Sequence, residues 1–273
     1  MISAPLFDYK TPFVLNALAD GEHKSKRQGL GSDFYKKSYF LSEPNPARID
    51  LASSLTDPFE SLYVKSYRQR SQLNVLTLID GSSSMSIANK PELISEFESS
   101  IAASVSARSD NYAAYLLSSK IKALSETQTD NSLIYEHFSQ INHHDVASSF
   151  NDLERLLPER RSMIFLISDF HWSTATIKRI FDKLSGHYVV PIVLRCSAEY
   201  EAYKLWRFVQ IQDAETGENR LIFVTPNQKQ QIDNAFITRK TALNKIFQQF
   251  SCRPLWAVDV FNINDLRAFF HGV

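Results

Sequence analysis

Asp80, Ser82 and Ser84 occupy alternate positions of a D-x-S-x-S pentapeptide inside the stretch LNVLTLIDGSSSMS. Their side chains offer hard oxygen donors, with neither sulfur nor imidazole among them. That donor set suits Mg²⁺ or Mn²⁺, which take oxygen ligands and keep several waters. The same residues are also ordinary turn and N-cap chemistry, so the pentapeptide alone does not separate a metal loop from a turn. A second acid, Asp169 in RSMIFLISDF, raises the interest of the first because it also follows a short apolar run.

Both acids need an element to present them. Leu73–Ile79 is apolar and rich in branched residues, and stops on Asp80. Met163–Ile167 has the same character. Such runs bounded by turn residues read as strands buried on both faces of a parallel sheet. Parallel neighbours end on one edge, so Asp80 and Asp169 can meet although they are far apart in the chain. The carboxyl edge of an open α/β sheet is also where these folds bind ligands.

The remaining periodicity alternates strand and helix from residue 70 onwards. Pro91 opens a helix carrying Ile94, Phe97, Ile101 and Val105 at helical spacing, to about Arg108. Tyr112–Leu117 reads as a strand, and Leu133–Ile141 and Val146–Leu157 as helices. A helix near Thr176–Leu184 and a strand at Tyr188–Leu194 come after Met163–Ile167. Phe208–Ile211 and Leu221–Val224 flank DAETGEN as a hairpin. Pro226–Phe250 is a long helix, Leu255–Val260 a last strand and Ile263–Phe270 a short helix. The fold expected is a doubly wound, mostly parallel α/β sheet over residues 71–273, with a β-hairpin insertion. Residues 1–70 read as an N-terminal extension packed on it, with too few core positions to fold alone. Within that extension, GEHKSKRQGLGSDF reads as a solvated basic loop and Leu62–Tyr67 as a strand.

Composition narrows the function. Thirty basic residues balance thirty acidic ones, so no global field favours nucleic acid or an anionic membrane. Cys196 and Cys252 form neither a disulfide framework nor a metal-ligand spacing. The N-terminus lacks the basic and apolar regions of a signal peptide, and the most apolar stretch, Tyr188–Leu194, contains Pro191 and falls far short of the ~20 residues of a membrane span. A cytoplasmic protein is expected. No nucleophile elbow, Walker loop, dinucleotide fingerprint or zinc signature is present.

Five motifs in order, GEHKSKRQGLGSDF, ARID followed by LYVKSY, LTLIDGSSSM, ERRSMIFLISDF and the DAETG hairpin, resemble the domain-of-unknown-function family numbered fifty-eight. That family is similar to the von Willebrand factor A-type domain, whose metal-ion-dependent adhesion site carries D-x-S-x-S on its first sheet strand. The resemblance implies that Ser82 and Ser84 contact the ion, that Asp80 acts through water and that Asp169 is the second acid. The family's third metal loop has a threonine before an acid; INHHDVASSF places His144 there, followed by Asp145. Imidazole is a poor Mg²⁺ ligand, so this departure implies a weakened, re-tuned or degenerate site.

Three functions follow as expectations. The first is a non-enzymatic protein-interaction module in which a partner's Asp or Glu completes the ion's coordination. The resemblance implies a MoxR-type AAA+ ATPase as partner, in maturing or remodelling protein complexes. The second is a scaffold with a vestigial metal loop. The third is a metal-assisted hydrolase using Asp80, Asp169 and His171 or His144. Trp172 and His171, beside Asp169, are candidate partner-binding residues at the rim of the site.

Overall fold

The computed structural model describes residues 4–13, 20–42, 44–59, 61–124, 132–141, 147–199, 205–212 and 219–271. The chain divides into two compact units. One comprises Met1–Lys10, Asn74–Ala107 and Tyr112–Val273; the other comprises Thr11–Leu73 and Arg108–Asn111.

The smaller unit is built on an antiparallel ribbon. Strand β1 (Asp20–Tyr39) pairs with β2 (Tyr63–Ser71), with Tyr39 opposite Tyr63 and Lys24 opposite Arg70. The basic stretch expected to be a solvated loop is therefore part of a strand. A two-stranded ribbon is held by its backbone ladder and needs no apolar alternation, which is the signal that sequence reading relies on. Its register shifts at several points along the ribbon. A 3₁₀ turn at Pro46–Arg48 and helix α1 (Leu51–Leu55) fill the connection; Asp50 caps α1 by accepting from the Ser53 amide at 3.3 Å.

The larger unit holds a six-stranded sheet. Its strands are β3 (Asn74–Asp80), β4 (Asn111–Leu117), β5 (Ile121–Leu124), β6 (Met163–Ser168), β7 (Tyr188–Arg195) and β10 (Leu255–Val258). They lie in the order β10-β7-β6-β3-β4-β5. β3, β6, β7 and β10 run parallel, and β5 is an antiparallel edge strand on β4. Chain order moves outwards from β3 in one direction, then returns to its other side with β6. This is the doubly wound pattern, with its topological switch point between β3 and β6. The mixed α/β sheet agrees with the expectation; β5, only four residues long, carries too little pattern to be read in advance.

Helices α2 (Lys90–Ala107), α3 (Ser132–Gln140), α4 (Thr174–Leu184), α5 (Pro226–Gln249) and α6 (Ile263–His271) complete the unit. A 3₁₀ helix spans Ser148–Arg155, where a longer helix was expected. Strands β8 (Phe208–Gln212) and β9 (Asn219–Phe223) pair antiparallel as the expected hairpin, whose turn lies outside the described residues. Near the N-terminus, Phe7 and Tyr9 are buried, and Phe7 stacks on Phe270 and meets Phe165 edge-on. No described helix is long and apolar enough to cross a membrane.

One core group carries a pH signature. Glu98 of α2 is buried, and the Tyr112 hydroxyl donates to Thr77 Oγ1 at 2.9 Å and lies 3.3 Å from Glu98 Oε1. Burial pushes the Glu98 carboxyl up from 4.5 to about 7, against a smaller opposing effect of the Tyr112 hydrogen bond. Folding thus favours the protonated acid. Its stabilising contribution is full below about 4.5 and is lost as pH rises through about 7. We expect denaturant melts of wild type and Glu98→Gln to diverge between pH 5 and pH 8, wild type losing up to about 3 kcal/mol relative to the variant. Parallel pH profiles would contradict this reading of Glu98.

Candidate functional site

The loop after β3 and the loop after β6 meet at the switch point. In the β3–β6 register Ile79 stands opposite Ile167, which sets Asp80 beside Ser168 and brings Asp169 to the same edge. Asp80 is anchored through both carboxylate oxygens before the chain enters Gly81. Its Oδ1 accepts the Ser82 amide at 2.9 Å, and its Oδ2 accepts the Ser168 hydroxyl at 2.6 Å. Ser82 and Ser84 turn their hydroxyls towards each other at 3.2 Å across a 3₁₀ turn, Ser83–Ser86. Asp80, Ser82, Ser83, Ser84 and Asp169 are all buried.

Gly81 lets this loop sit against its neighbours. Its amide donates to the Leu117 carbonyl at 2.8 Å, and its own carbonyl lies 3.1 Å from His137 Nε2 of α3. A Cβ at this position would lie 2.9 Å from Leu116 Cδ2, 3.0 Å from the Leu117 carbonyl and 3.1 Å from His137 Nε2.

Asp169 is held differently. Its Oδ1 accepts the His171 amide at 3.1 Å, and its Oδ2 receives the ammonium of Lys90 at 2.8 Å. Lys90, fully buried at the start of α2, also donates to the Ser84 carbonyl at 3.0 Å and to Glu199 Oε1 at 2.5 Å. Burial would raise both carboxyls. For Asp80 it does, together with repulsion from Asp169, and the acid is pushed up to about 7. For Asp169 burial also pushes upwards, but the Lys90 ammonium, His171 and the Ser84 hydroxyl together overcome it and hold the carboxyl well below the usual range. Lys90 in turn is raised, because Asp169 and Glu199 together overcome the cost of burying its charge.

The donor chemistry fits a hard cation. Two hydroxyls 3.2 Å apart approximate the ~3 Å edge of an octahedron with ligand bonds of ~2.1 Å. Among the described residues no group of three or more His, Cys, Asp or Glu side chains is arranged to hold a metal ion. A cation here would therefore rest on the serine hydroxyls, with the acids in support.

The family profile described as protein of unknown function DUF58 matches residues 49–244, more than half of the chain. The chain belongs to the DUF58 family. None of the curated proteins matches it. Among solved structures it is similar to the conserved hypothetical protein BatB from Bacteroides thetaiotaomicron, at 13% identity and a TM-score of 0.39, covering 71% of this chain and 94% of that one. It is also similar to an aerotolerance-related membrane protein from Bacteroides fragilis, at 13% identity and a TM-score of 0.38, covering 72% and 96%. At these scores neither likeness bears on function.

In this DUF58 chain, then, the structure brings together Asp80, Ser82, Ser84 and Asp169. His144 and Asp145, the departure in the third loop, lie outside the described residues. His171 stays partly exposed, with Nδ1 3.4 Å from Asp169 Oδ2. Trp172 is not at an exposed rim. It is 8% exposed and packs edge-on against Phe150 and Phe170, because the chain turns inwards after Asp169. Phe170 takes that turn at a φ of 54°, and Arg239 of α5 donates to the carbonyls of Phe170 and Trp172.

Sequence reading missed Ser168, Lys90, Glu199 and Arg239. Lys90 alone left a trace: a lysine immediately before the first-turn Pro91 puts a cation where a helix dipole disfavours it. Replacing Gly81 is the direct test of the loop's packing. Gly81→Ala should lower stability by about 1–3 kcal/mol in thermal or denaturant melts, as overpacking does. An unchanged melting temperature would mean that the loop does not hold this close approach.

Proposed function

We propose that this chain is a non-enzymatic protein-interaction module of von Willebrand factor A type, with its docking centre at the loop of Asp80, Ser82 and Ser84 beside Asp169. The observation that supports this most is the convergence of two strand-end acids and two serine hydroxyls at the switch point. Mg²⁺ or Mn²⁺ held there would attract a carboxylate from a partner, since a divalent charge in a partly desolvated cleft is weakly screened. The family resemblance supports a MoxR-type AAA+ ATPase as that partner, in maturing or remodelling protein complexes.

Hydrolysis is the weaker reading. Asp80 is engaged by Ser168 and Ser82, and Asp169 by Lys90, so each acid already has a structural occupation. The scaffold reading, with a vestigial metal loop, draws support from the same Lys90 contact.

Co-purification of the chain with a MoxR-type ATPase tests the proposal. We expect capture that weakens at least tenfold with EDTA, or with Ser82→Ala/Ser84→Ala at unchanged melting temperature. Capture indifferent to both would favour the scaffold. Absence of capture would remove the ATPase as partner, and ester or phosphodiester turnover lost in Asp80→Ala would favour the hydrolase.

A further inference from the structure

Lys90 lies where a lysine is hardest to accommodate. Its side chain is fully buried, and it is the first residue of α2, whose N-terminal amides already present positive charge. Its ammonium is nevertheless matched on three sides by oxygen: Asp169 at 2.8 Å, the Ser84 carbonyl at 3.0 Å and Glu199 at 2.5 Å. An ammonium has three N–H donors, and three oxygens receive them.

Its backbone is fixed as closely. Ala88 adopts a φ of 55°, and Asn89 donates to the Asp259 carbonyl while accepting from Cys196 Sγ at 2.9 Å. Asp259 then accepts the Ser197 amide at 2.7 Å, two residues before Glu199. The lysine and its second acid are thus delivered to one point by residues from three separate segments.

We propose that Lys90 is a built-in cation of this site and competes with a divalent ion for Asp169. The proposal rests on reading the serine loop as a cation site, not on the identity of any partner. Asp169 is the acid that a metal on Ser82 and Ser84 would use, and its Oδ2 already carries the ammonium. A divalent ion entering beside it would face a like charge across a single carboxylate in a desolvated pocket, where repulsion is strong. Either the lysine withdraws or the metal binds weakly. An organic cation inside the fold would give the loop its shape without metal, and would make divalent binding conditional on moving Lys90.

The opposite arrangement is equally concrete. Lys90 could brace Asp169 for a metal bound in front of it, and then removing the ammonium would loosen the metal. The two are separated by titrating Mn²⁺ into purified wild type and Lys90→Gln, following free Mn²⁺ by its electron paramagnetic resonance signal. The amide keeps hydrogen-bonding capacity and removes the charge.

Competition predicts at least tenfold tighter Mn²⁺ binding in K90Q, lost again in K90Q/D169N, and a melting temperature that Mn²⁺ raises in K90Q more than in wild type. Equal or weaker binding in K90Q overturns the proposal, as does a gain that survives in K90Q/D169N. Should K90Q not fold alone, it is refolded with Mn²⁺: recovery supports the proposal and failure to recover overturns it. Partner capture is not read by this titration, so loss of the ATPase would leave this result standing, and the converse.

Discussion

A fully buried ammonium beside two carboxylates is the interaction on which the rest of this site depends. Removing a lysine from water costs several kcal/mol after relaxation, and its place at a helix N-terminus adds to that cost. Asp169 and Glu199 offset it only because their oxygens lie at 2.8 and 2.5 Å. Such clusters contribute little net stability compared with apolar packing, but their geometry is exacting. The start of α2, the loop after β6 and the turn at Ser197–Glu199 must all be in place for Lys90 to be tolerated.

The same cluster explains why two acids at one sheet edge behave differently. Neighbouring carboxylates in a low-dielectric site cannot both ionise cheaply. Lys90 resolves the conflict in favour of Asp169, which stays charged. Asp80 has no ammonium within its hydrogen-bonding set; it relies on the Ser168 hydroxyl and the Ser82 amide, and burial drives its carboxyl up to about 7. One acid is thus held in its charged form and the other is pushed towards its neutral form.

Behind the loops stands an aromatic floor. Phe170 meets Phe247 edge-on at 5.2 Å, and Trp172 meets Phe150 at 4.7 Å. Burying these rings pulls the chain inwards straight after Asp169. Ser168 supports the turn, its hydroxyl receiving the Phe170 amide at 2.8 Å while donating to Asp80. A single serine side chain thereby couples the backbone after β6 to the acid after β3. On the opposite side, Gly81 leaves the room that His137 and Leu116 fill. The loop is clasped between a rigid floor and a close-packed wall.

What the sequence determined by itself was the sheet and the meeting of its acids. Apolar runs ending at Asp80 and near Asp169 specify buried parallel strands, and parallel strands share an edge, so local pattern was enough. The alternation of strands and helices and the hairpin strands β8 and β9 were legible for the same reason, while the DUF58 family was legible from the resemblance of five motifs. The ribbon strand β1, the short β5 and the 3₁₀ helix at Ser148–Arg155 were not, since each is defined by backbone pairing or length more than by periodicity. Only the tertiary structure decided which groups surround the acids. Glu199 and Arg239 reach the site from segments with no motif, Trp172 turns into the core, and Lys90 enters as a cation. Side-chain charge pairing is set by distances between residues remote in the chain, and no local pattern encodes those distances.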